Sequence, residues 1–351
     1  MTEPAFALTS IRAGQREIAP KVAVVIPCYR AADTIASVLS SIGPEVSAIY
    51  CIDDASPDGT AHILEQFAAQ DARIRIVRRA VNGGVGAAMV DGYRAAIADG
   101  MGILVKIDSD GQMDPLLILD FIAPILAGHA DYVKGNRFFN ADTVGAMPVK
   151  RVVGNAGLSF LTKLSTGYWE LFDPTNGYTA IHADVAAVLP LERLHPRFFF
   201  ESDLLFRLST VQARVIELPL MAQYNALNSH LNELRCLVTF PGLHLRNLLK
   251  RIGYNYFLRN FSLASVNLVL GILLASFGLV FGLIEWAKSF ETGVPATTGT
   301  VMLSALPFLL GIQLLMSFLS HDMAMAPREP VHPRIARLRV LAPRSDRGPD
   351  A

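Results

Sequence analysis

Short apolar runs alternate with amphipathic stretches over roughly the first third of the chain. The apolar runs have the length and β-branched content of buried strands and cover Val22–Ile26, Ala48–Ile52, Ile74–Val77 and Gly102–Ile107. Helical spacing predicts helices over Thr34–Ile42, Asp58–Ala69, Val85–Ala98 and Leu116–Leu126. This alternation predicts an α/β fold with a mostly parallel, doubly wound sheet and helices on both faces.

Two much longer apolar runs follow near the carboxyl end. Leu263–Ile284 and Thr300–Ser320 contain no charged residue. Each is long enough to cross a hydrocarbon core of about 30 Å at a helical rise of about 1.5 Å per residue. The pattern predicts a two-helix transmembrane anchor over residues 263–320. The alternative is a buried helical hairpin in a soluble domain.

Basic residues stand on both outer flanks of these runs, as Arg246, Lys250, Arg251 and Arg259 before and Arg328, Arg334, Arg337 and Arg339 after. This distribution predicts a multi-pass protein of the inner cell membrane whose α/β domain and both termini are cytoplasmic. Gly271, Ala275 and Gly278 are small enough to pack one protomer's span against another's, which leaves a homo-oligomer open.

The rest of the chain divides by composition. Residues 1–20 form an N-terminal extension that lacks the apolar core of a signal peptide, and residues 21–235 are expected to form the main α/β domain. Residues 236–262 are expected to form an amphipathic juxtamembrane segment, which either lies in the headgroup layer or packs on the α/β domain. The tail 321–351 is rich in Pro and Arg and is expected to be disordered.

Composition excludes several classes of partner. Thirty-one basic and 31 acidic residues give a net charge of zero, so nothing indicates nucleic-acid binding. Mean hydropathy is +0.36, high for a soluble enzyme. Cys28, Cys51 and Cys236 are far apart and odd in number, which argues against a disulfide framework or a zinc site.

Carboxylates follow three of the apolar runs, as Asp53 with Asp54, Asp108 with Asp110, and Glu201 with Asp203. Ligands of open α/β sheets gather at the carboxyl ends of the strands. Paired carboxylates there suit Mg²⁺ or Mn²⁺ carrying a diphosphate. The alternative is a solvated turn with helix-capping aspartates.

Several motifs in series carry a family resemblance. They are VVIPCYRAADTI, IDDASPDGT, NGGVGAAMVDGYRAAI, KIDSDGQMDP, GNRF, KRVVGNAGLSFLTKL, DPTNGYTAI and RFFFESDLLFRL. Together they resemble inverting family 2 glycosyltransferases of the GT-A fold, in the branch that acts on polyprenyl phosphates. That branch includes dolichyl-phosphate mannose synthases and bacterial lipid-phosphate glucosyltransferases with two C-terminal spans.

The resemblance implies a nucleotide-sugar site. Pro27 and Tyr29 would line the nucleotide pocket, and Asp53 or Asp54 would bind the base or ribose. Gly84, within Asn82–Gly86, would let the backbone approach the nucleotide. Asp108, Asp110 and Gln112 would hold the cation, which makes Mg²⁺ or Mn²⁺ the expected cofactor.

The resemblance also implies an acceptor site. Arg137, Arg151 and Asn155 would bind the acceptor phosphate, because the guanidinium fork matches phosphate oxygens. Glu201 and Asp203 would orient donor or acceptor groups, or cap the helix that follows. We therefore expect Asp110, Arg137, Arg151 and Asp203 to act in catalysis.

The implied reaction is inverting transfer of a glucose- or mannose-type hexose from a UDP- or GDP-sugar to a polyprenyl phosphate. Such a phosphate is already largely anionic at neutral pH, so no strong general base is needed. One departure concerns the first motif, where Arg30 and Ala31 replace the Asn and Glu that the family often has.

Three other functions are alternatives to glycosyl transfer onto a polyprenyl phosphate. A processive polysaccharide synthase would carry a QxxRW motif and more spans, and neither is present. A membrane scaffold that binds nucleotide-sugar without catalysis would have no reason to keep the acidic and arginine motifs together. A transporter would need a polar path through the spans.

Overall fold

The computed structural model describes residues 20–139, 149–220 and 233–341 of the chain. The strands are β1 Val22–Cys28, β2 Ala48–Asp53, β3 Ile74–Arg78, β4 Ile103–Lys106, β5 Tyr132–Asn136, β6 Thr179–His182 and β7 Val215–Pro219. The helices of the catalytic region are α1 Ile35–Ser40, α2 Thr60–Gln70, α3 Val85–Ala98, α4 Ile118–Leu126, α5 Val149–Thr166, α6 Ala183–Val188 and α7 Phe200–Thr210. Beyond them lie α8 Glu233–Ile252, a π-helical turn Gly253–Arg259, α9 Leu263–Thr292, α10 Thr298–Ala324 and α11 His332–Leu341.

The seven strands form one sheet in the order β3-β2-β1-β4-β6-β5-β7. β6 is antiparallel to both of its neighbours, and the other pairs are parallel. The predicted mostly parallel sheet is therefore confirmed. Strand order reverses between β1 and β4, so the crevice at their carboxyl ends is the expected ligand site.

The four predicted strands occur where the hydrophobic pattern predicts them, with small differences at their ends. β2 and β3 each end one residue later than predicted, and β4 is one residue shorter at each end. β1 continues through Pro27 to Cys28, although proline lacks a backbone donor. This is possible because β4 pairs only with Val22–Val25, so Pro27 has a ladder partner on the β2 side alone. The end of β1 is thereby left open toward the crevice.

Helices cover both faces of the sheet, as predicted. α1, α2 and α4 pack on one face through residues such as Ile35, Leu64 and Phe121. α3, α6 and α7 pack on the other face, where Tyr93 and Leu204 are fully buried. Both layers of apolar side chains are thus removed from water, which is the main stabilising contribution to such a fold.

The two predicted spans are long helices, α9 and α10. Their most apolar windows have mean hydropathies of 2.3 and 2.0, with only 17% and 11% of each window buried. A core helix of a soluble protein would be mostly buried, so these helices are suited to a lipid environment. They form the candidate two-helix membrane anchor.

The small residues of α9 pack against α10 of the same chain. A Cβ on Gly278 would lie 2.6 Å from the backbone N of Phe308, and one on Gly271 would lie 3.1 Å from the carbonyl oxygen of Gly311. Ala275 contacts Gly311 in the same interface. These residues thus form a contact within one chain, and a contact between protomers stays a prediction.

The segment after α10 differs from the expected disordered tail. α10 itself continues to Ala324, and α11 follows at His332–Leu341. The buried carboxylate of Asp131 accepts hydrogen bonds from the backbone N of Val331 (2.8 and 3.0 Å) and of His332 (2.9 Å). The His332 ring also stacks on His182 at 4.3 Å. The partner that orders this segment lies about two hundred residues away in sequence, where composition gives no sign of it.

Candidate active site

Pro27 and Tyr29 stand at the end of β1, on the crevice where strand order reverses. Tyr29 is 44% exposed, and the guanidinium of Arg30 lies over its ring at 5.5 Å. Arg30 has a positive φ of 54°, and its backbone N donates to Ser56 Oγ at 3.3 Å. The residues that replace the family's usual Asn and Glu therefore build a tight turn beside an exposed tyrosine ring.

Asp53 and Asp54, at the end of β2, have different surroundings. Asp54 is 3% exposed, and its oxygens accept from the backbone N of Gly83 (2.8 Å) and Gly84 (2.7 Å). Its Oδ1 also lies 2.9 Å from Arg79 Nε. Asp53 accepts from the backbone N of Ser56 at 3.0 Å. Of the two carboxylates proposed for the base or ribose, the one with fewer protein donors around it is Asp53.

Gly84 packs closely against another loop of the protein. Its φ is +92°, and a Cβ there would lie 2.9 Å from the Pro196 carbonyl oxygen. Its N–H points to Asp54, as described above, so it is not presented to a diphosphate. The glycine admits the protein's own 195–197 loop at the amino end of α3. A nucleotide contact of the Asn82–Gly86 backbone stays a prediction.

Asp108, Asp110 and Gln112 follow β4 in one turn. Asp110 Oδ1 accepts from the backbone N of Gln112 at 3.0 Å, and Thr34 Oγ1 fixes the turn by donating to the Ser109 carbonyl at 2.5 Å. The pKa of the Asp110 carboxyl is raised, first by desolvation and also by the charge on Asp108. A carboxylate whose ionised form is disfavoured by a neighbouring negative charge fits a site for a cation.

A buried lysine supports this turn from below. Lys106 is 1% exposed, and its Nζ lies 2.7 Å from Asp108 Oδ1 and 3.4 Å from Glu201 Oε1. It also donates to the carbonyl of Gly177 at 3.2 Å. Burial alone would lower the pKa of Lys106, but the carboxylates of Asp108 and Glu201 outweigh burial and raise it. A permanent positive charge therefore lies beneath the acidic turn.

Arg137 lies beyond β5 and is bound by the 173–177 segment. Its Nε and Nη2 donate to the two carboxylate oxygens of Asp173 at 2.8 and 3.0 Å. Asp173 is fully buried; burial alone would raise its pKa, but the hydrogen bonds from Arg137 hold it below its usual range. Lys134 Nζ donates to the carbonyls of Asp173 and Asn176. Arg137 is thus oriented by a buried carboxylate, and its contact with an acceptor phosphate stays a prediction.

Arg151 and Asn155 lie one helical turn apart on α5. The side chain of Arg151 lies outside the described residues. Asn155 is 8% exposed, and its Nδ2 has no hydrogen-bond partner in the described part of the chain. A buried amide donor without a partner is costly, which marks this position as a candidate ligand contact.

Glu201 and Asp203 belong to the first turn of α7, not to the end of a strand. Burial raises the pKa of Glu201, opposed by Lys106. Asp203 Oδ2 accepts from the backbone N of His195 at 3.0 Å, and Oδ1 accepts from Asn247 Nδ2 on α8 at 3.1 Å. Glu201 lies beside Lys106 of the acidic site, whereas Asp203 bonds to His195 and Asn247. A role of either residue in orienting substrate groups stays a prediction.

Lys106, Lys134 and Asp173 are not among the site residues predicted from the sequence. A usable signal was present, because both lysines stand inside short apolar strands, ILVK and YVKGN, where an unpaired charge would be strongly unfavourable. A charge in such a position requires a buried partner. The sequence does not say which of the 31 acidic residues supplies it.

With this geometry established, comparison with known proteins identifies the domain. Residues 23–189 match the sequence profile of Glycosyl transferase family 2. The chain carries a family 2 glycosyltransferase domain. The match ends within the stretch after α6, so α7 and the two apolar helices lie outside it.

Curated relatives of this glycosyltransferase share a narrow set of names. An undecaprenyl-phosphate mannosyltransferase of Micrococcus luteus is 28% identical over 203 residues, which is 57% of this chain and 82% of the relative. A UDP-N-acetylglucosamine–dolichyl-phosphate N-acetylglucosaminyltransferase of Methanococcus voltae is 28% identical, over 57% of this chain and 85% of the relative. A polyprenol monophosphomannose synthase of Mycolicibacterium smegmatis is also 28% identical, over 56% and 75%.

Solved structures confirm the fold. Glucosyl-3-phosphoglycerate synthase from Mycobacterium tuberculosis, in complex with Mn²⁺, uridine diphosphate and phosphoglyceric acid, aligns with a TM-score of 0.50 at 23% identity. The alignment covers 67% of this chain and 79% of that one. At this identity the likeness concerns the architecture of the glycosyltransferase domain.

Proposed function

We propose that this glycosyltransferase moves a hexose from a nucleotide-sugar to a polyprenyl phosphate at the cytoplasmic side of a membrane. The observation that carries the proposal is the union of an acidic turn in the β1–β4 crevice with two lipid-suited helices on one chain. The curated relatives that act on undecaprenyl, dolichyl and polyprenol phosphates support the choice of acceptor.

The donor would occupy the crevice between β1 and β4. The exposed ring of Tyr29 offers a stacking surface for a base, and Asp53 offers a carboxylate for its edge or for the ribose. A UDP- or GDP-linked sugar of the glucose or mannose type is compatible with these residues. The diphosphate would then point toward Asp108 and Asp110.

The residues of the acidic turn fit Mg²⁺ or Mn²⁺. Asp108 and Asp110 are carboxylates in one turn, and such ions need only one or two of them beside waters and substrate phosphates. The described ranges contain no group of three or more His, Cys, Asp or Glu side chains that could hold a metal ion by themselves. Oxygens of the donor diphosphate would therefore complete the coordination of the cation. Gln112 would add an amide oxygen. When bound, the cation neutralises charge on the departing nucleoside diphosphate.

The acceptor phosphate would approach from α5. Arg151 and Asn155 stand one turn apart on that helix, and Arg137 is held by Asp173. A phosphate oxygen attacks the anomeric carbon, the bond from that carbon to the diphosphate oxygen breaks, and the nucleoside diphosphate leaves with the electron pair. In-line attack inverts the anomeric centre. The protein's contribution is alignment and electrostatic stabilisation.

The test uses the full chain in lipid nanodiscs with Mn²⁺, undecaprenyl phosphate and a panel of UDP- and GDP-hexoses. Both nucleoside diphosphate release and sugar-lipid formation are measured. We expect one donor to give a lipid-linked sugar, and Asp110→Ala to abolish it. Asp114→Ala is the matched control, since Asp114 lies in the same loop but accepts from the backbone N of Leu116 at the start of a helical turn.

Failure would be equally clear. A wild-type protein that binds nucleotide but transfers to no polyprenyl phosphate would overturn the acceptor assignment. Equal loss in Asp110→Ala and Asp114→Ala would show that the loop needs its fold, not a cation ligand. Full activity in a chelator would remove the cation from the proposal.

A further inference from the structure

A buried carboxylate stands near the end of the second apolar helix. Asp322 is 3% exposed and belongs to α10. Its Oδ1 accepts from Arg251 Nη1 at 2.6 Å and from the Tyr256 hydroxyl at 2.6 Å. Its Oδ2 accepts from Arg251 Nη2 at 3.0 Å and from Trp169 Nε1 at 2.8 Å. We call Asp322, Arg251, Tyr256 and Trp169 the Asp322 cluster.

Four donors on one buried carboxylate define a position. A buried ion pair stabilises little in net terms, because the loss of hydration offsets most of the attraction. What such a pair supplies is a single allowed geometry, since a displaced partner leaves an unpaired charge in an apolar setting. Apolar packing alone would let α10 slide against its neighbours. The Asp322 cluster therefore fixes where this helix end lies.

The cluster reaches α5 through Arg251. Nη2 of Arg251 also donates to the carbonyl of Leu164 at 2.9 Å, near the carboxyl end of α5. The next residue after α5, Gly167, has a φ of +80°, and a Cβ there would lie 2.7 Å from Arg251 Nη1. The guanidinium thus joins the end of α5 to the end of the second apolar helix.

The other part of α5 carries the predicted acceptor residues. Arg151 and Asn155 lie toward its amino end, and the Nδ2 of Asn155 is buried without a partner in the described ranges. From Asn155 to Leu164 the helix rises about 14 Å, at about 1.5 Å per residue. α5 therefore carries the predicted phosphate-binding residues near its amino end and contacts the Asp322 cluster near its carboxyl end.

Trp169 extends the connection along the chain. It precedes the segment that contains Asp173 and Gly177 by a few residues. Asp173 binds Arg137, and the Gly177 carbonyl accepts from Lys106 beneath Asp108. Lys106, Arg137 and Asp173 hold this loop in place, so we expect it to keep its position when a bond of the Asp322 cluster is removed.

We propose that Asp322 is a positioning residue that sets the height and orientation of the acceptor-phosphate end of α5 relative to the membrane span. This rests on the proposed function. A lipid acceptor keeps its tail in the bilayer, so its phosphate reaches a limited height above the surface. An enzyme tilted or lifted from that surface would lose this acceptor while a soluble acceptor could still diffuse in.

The experiment compares two acceptors for the full chain in nanodiscs. One is undecaprenyl phosphate in the bilayer, and the other is a short, water-soluble prenyl phosphate. The variants are Asp322→Asn, Trp169→Phe and Tyr256→Phe. Each of the last two removes one donor; Tyr256→Phe keeps the same ring, and Trp169→Phe keeps an aromatic ring of smaller size. Ser317→Ala is the matched control, because it removes a hydrogen bond between the two apolar helices (Asn267 Nδ2 to Ser317 Oγ, 3.1 Å) outside the cluster.

We expect Asp322→Asn to raise KM for the bilayer acceptor by about tenfold or more, because displacement of reacting groups by about 1 Å is enough for large losses. The single-donor variants should raise KM by about twofold to fivefold, in line with loss of one hydrogen bond to a charged group. The ratio kcat/KM for the soluble acceptor should stay near wild type. Ser317→Ala should leave both acceptors unaffected.

Parallel losses with both acceptors would overturn the proposal, as would unchanged kinetics in all three cluster variants. If Asp322→Asn does not fold, as judged by gel filtration, Trp169→Phe and Tyr256→Phe decide the question.

A second measurement does not depend on activity. Spin labels at Ala156→Cys on α5 and Ser320→Cys on α10, both exposed positions, should give one narrow distance in wild type and a broad distribution in Asp322→Asn. An unchanged distribution would overturn the inference. A wild type that is inactive toward lipid, yet shows the narrow distance and its broadening, would count against the proposed function alone.

Discussion

Two lysines, equally buried, stand on either side of the same strand and behave in opposite ways. Lys106 of β4 and Lys134 of β5 both pair in register with Thr179 of β6. Both reach up to the 173–177 segment, where Lys106 donates to the Gly177 carbonyl and Lys134 donates to those of Asp173 and Asn176. They differ in what else surrounds each ammonium group.

Lys106 faces the carboxylates of Asp108 and Glu201, whereas Lys134 is held by backbone carbonyls. The pKa of Lys106 is accordingly raised, while burial lowers the pKa of Lys134 because Asp173 and Glu217 oppose it only in part. Lys106 is thus a counter-charge to two carboxylates, whereas Lys134 binds the 173–177 loop through its backbone carbonyls. Because the two lysines are equally buried, their hydrogen-bond and charge partners decide this difference.

The largest effect should come from removing the counter-charge. Lys106→Met leaves the carboxylates of Asp108 and Glu201 without their buried cation, which should cost about 3–5 kcal/mol of stability, as breaking buried pairs does. Transfer activity should also fall, because Asp108 loses its orienting contact. Thermal unfolding in detergent and single-turnover kinetics check this. The double variant Lys106→Met/Glu201→Gln should recover part of the lost stability; no recovery would contradict the charge argument.

A smaller effect is expected where the loop passes over Lys106. Gly177→Ala would place a Cβ 2.5 Å from both Lys106 Nζ and Asp108 Oδ2, so we expect about 2 kcal/mol of overpacking and a lower kcat. Gly135→Ala is the matched control beside Lys134. Its Cβ would meet mainly the flexible end of Leu220. If Gly135→Ala impairs kcat as much as Gly177→Ala, the two sites are not functionally distinct.

Removing the Lys134 ammonium group should be milder. Lys134→Met deprives the carbonyls of Asp173 and Asn176 of a donor, but it also relieves the burial of an ammonium group. The net cost should be about 1–2 kcal/mol, within the range for unsatisfied buried acceptors. Activity should fall through KM for the acceptor, because Asp173 orients Arg137. Steady-state kinetics with both substrates varied would show this, and a loss confined to donor KM would contradict it.

The smallest effect concerns pH. Because the folded-state pKa of Lys134 is lowered, the unfolded chain binds more protons in the window between that pKa and about 10.5, and stability rises with pH there by at most about 1.4 kcal/mol per unit. The melting-temperature deficit of Lys134→Met should therefore widen as the pH rises toward about 10.5, the ordinary pKa of lysine. The raised pKa of Lys106 keeps that lysine protonated in both states across the same window, so the deficit of Lys106→Met should stay constant. Equal slopes for the two variants would refute the distinction.

Local pattern determined much of this molecule. The strands β1 to β4, the helices between them and the two apolar helices follow from periodicity and run length, because each such element buries its own apolar side chains. Helix α3 has the bounds that its spacing predicts. The acidic turn after β4 also follows, since the carboxyl end of a strand is a local feature. The order of the motifs along the chain also carried the family resemblance.

Only the tertiary structure decided how the charges pair. That Asp173 binds Arg137, that Asp131 orders the segment after α10, and that Asp322 accepts from donors in two distant segments are contacts between residues far apart in sequence. It likewise showed that Gly84 accommodates the Pro196 carbonyl and that Asp203 binds Asn247. Hydrophobic burial is non-directional, and it leaves a periodic pattern of apolar residues along the chain. A buried charge instead needs a partner of opposite charge at hydrogen-bond distance. Any acidic or basic residue could be that partner, and only the fold decides which one lies close enough.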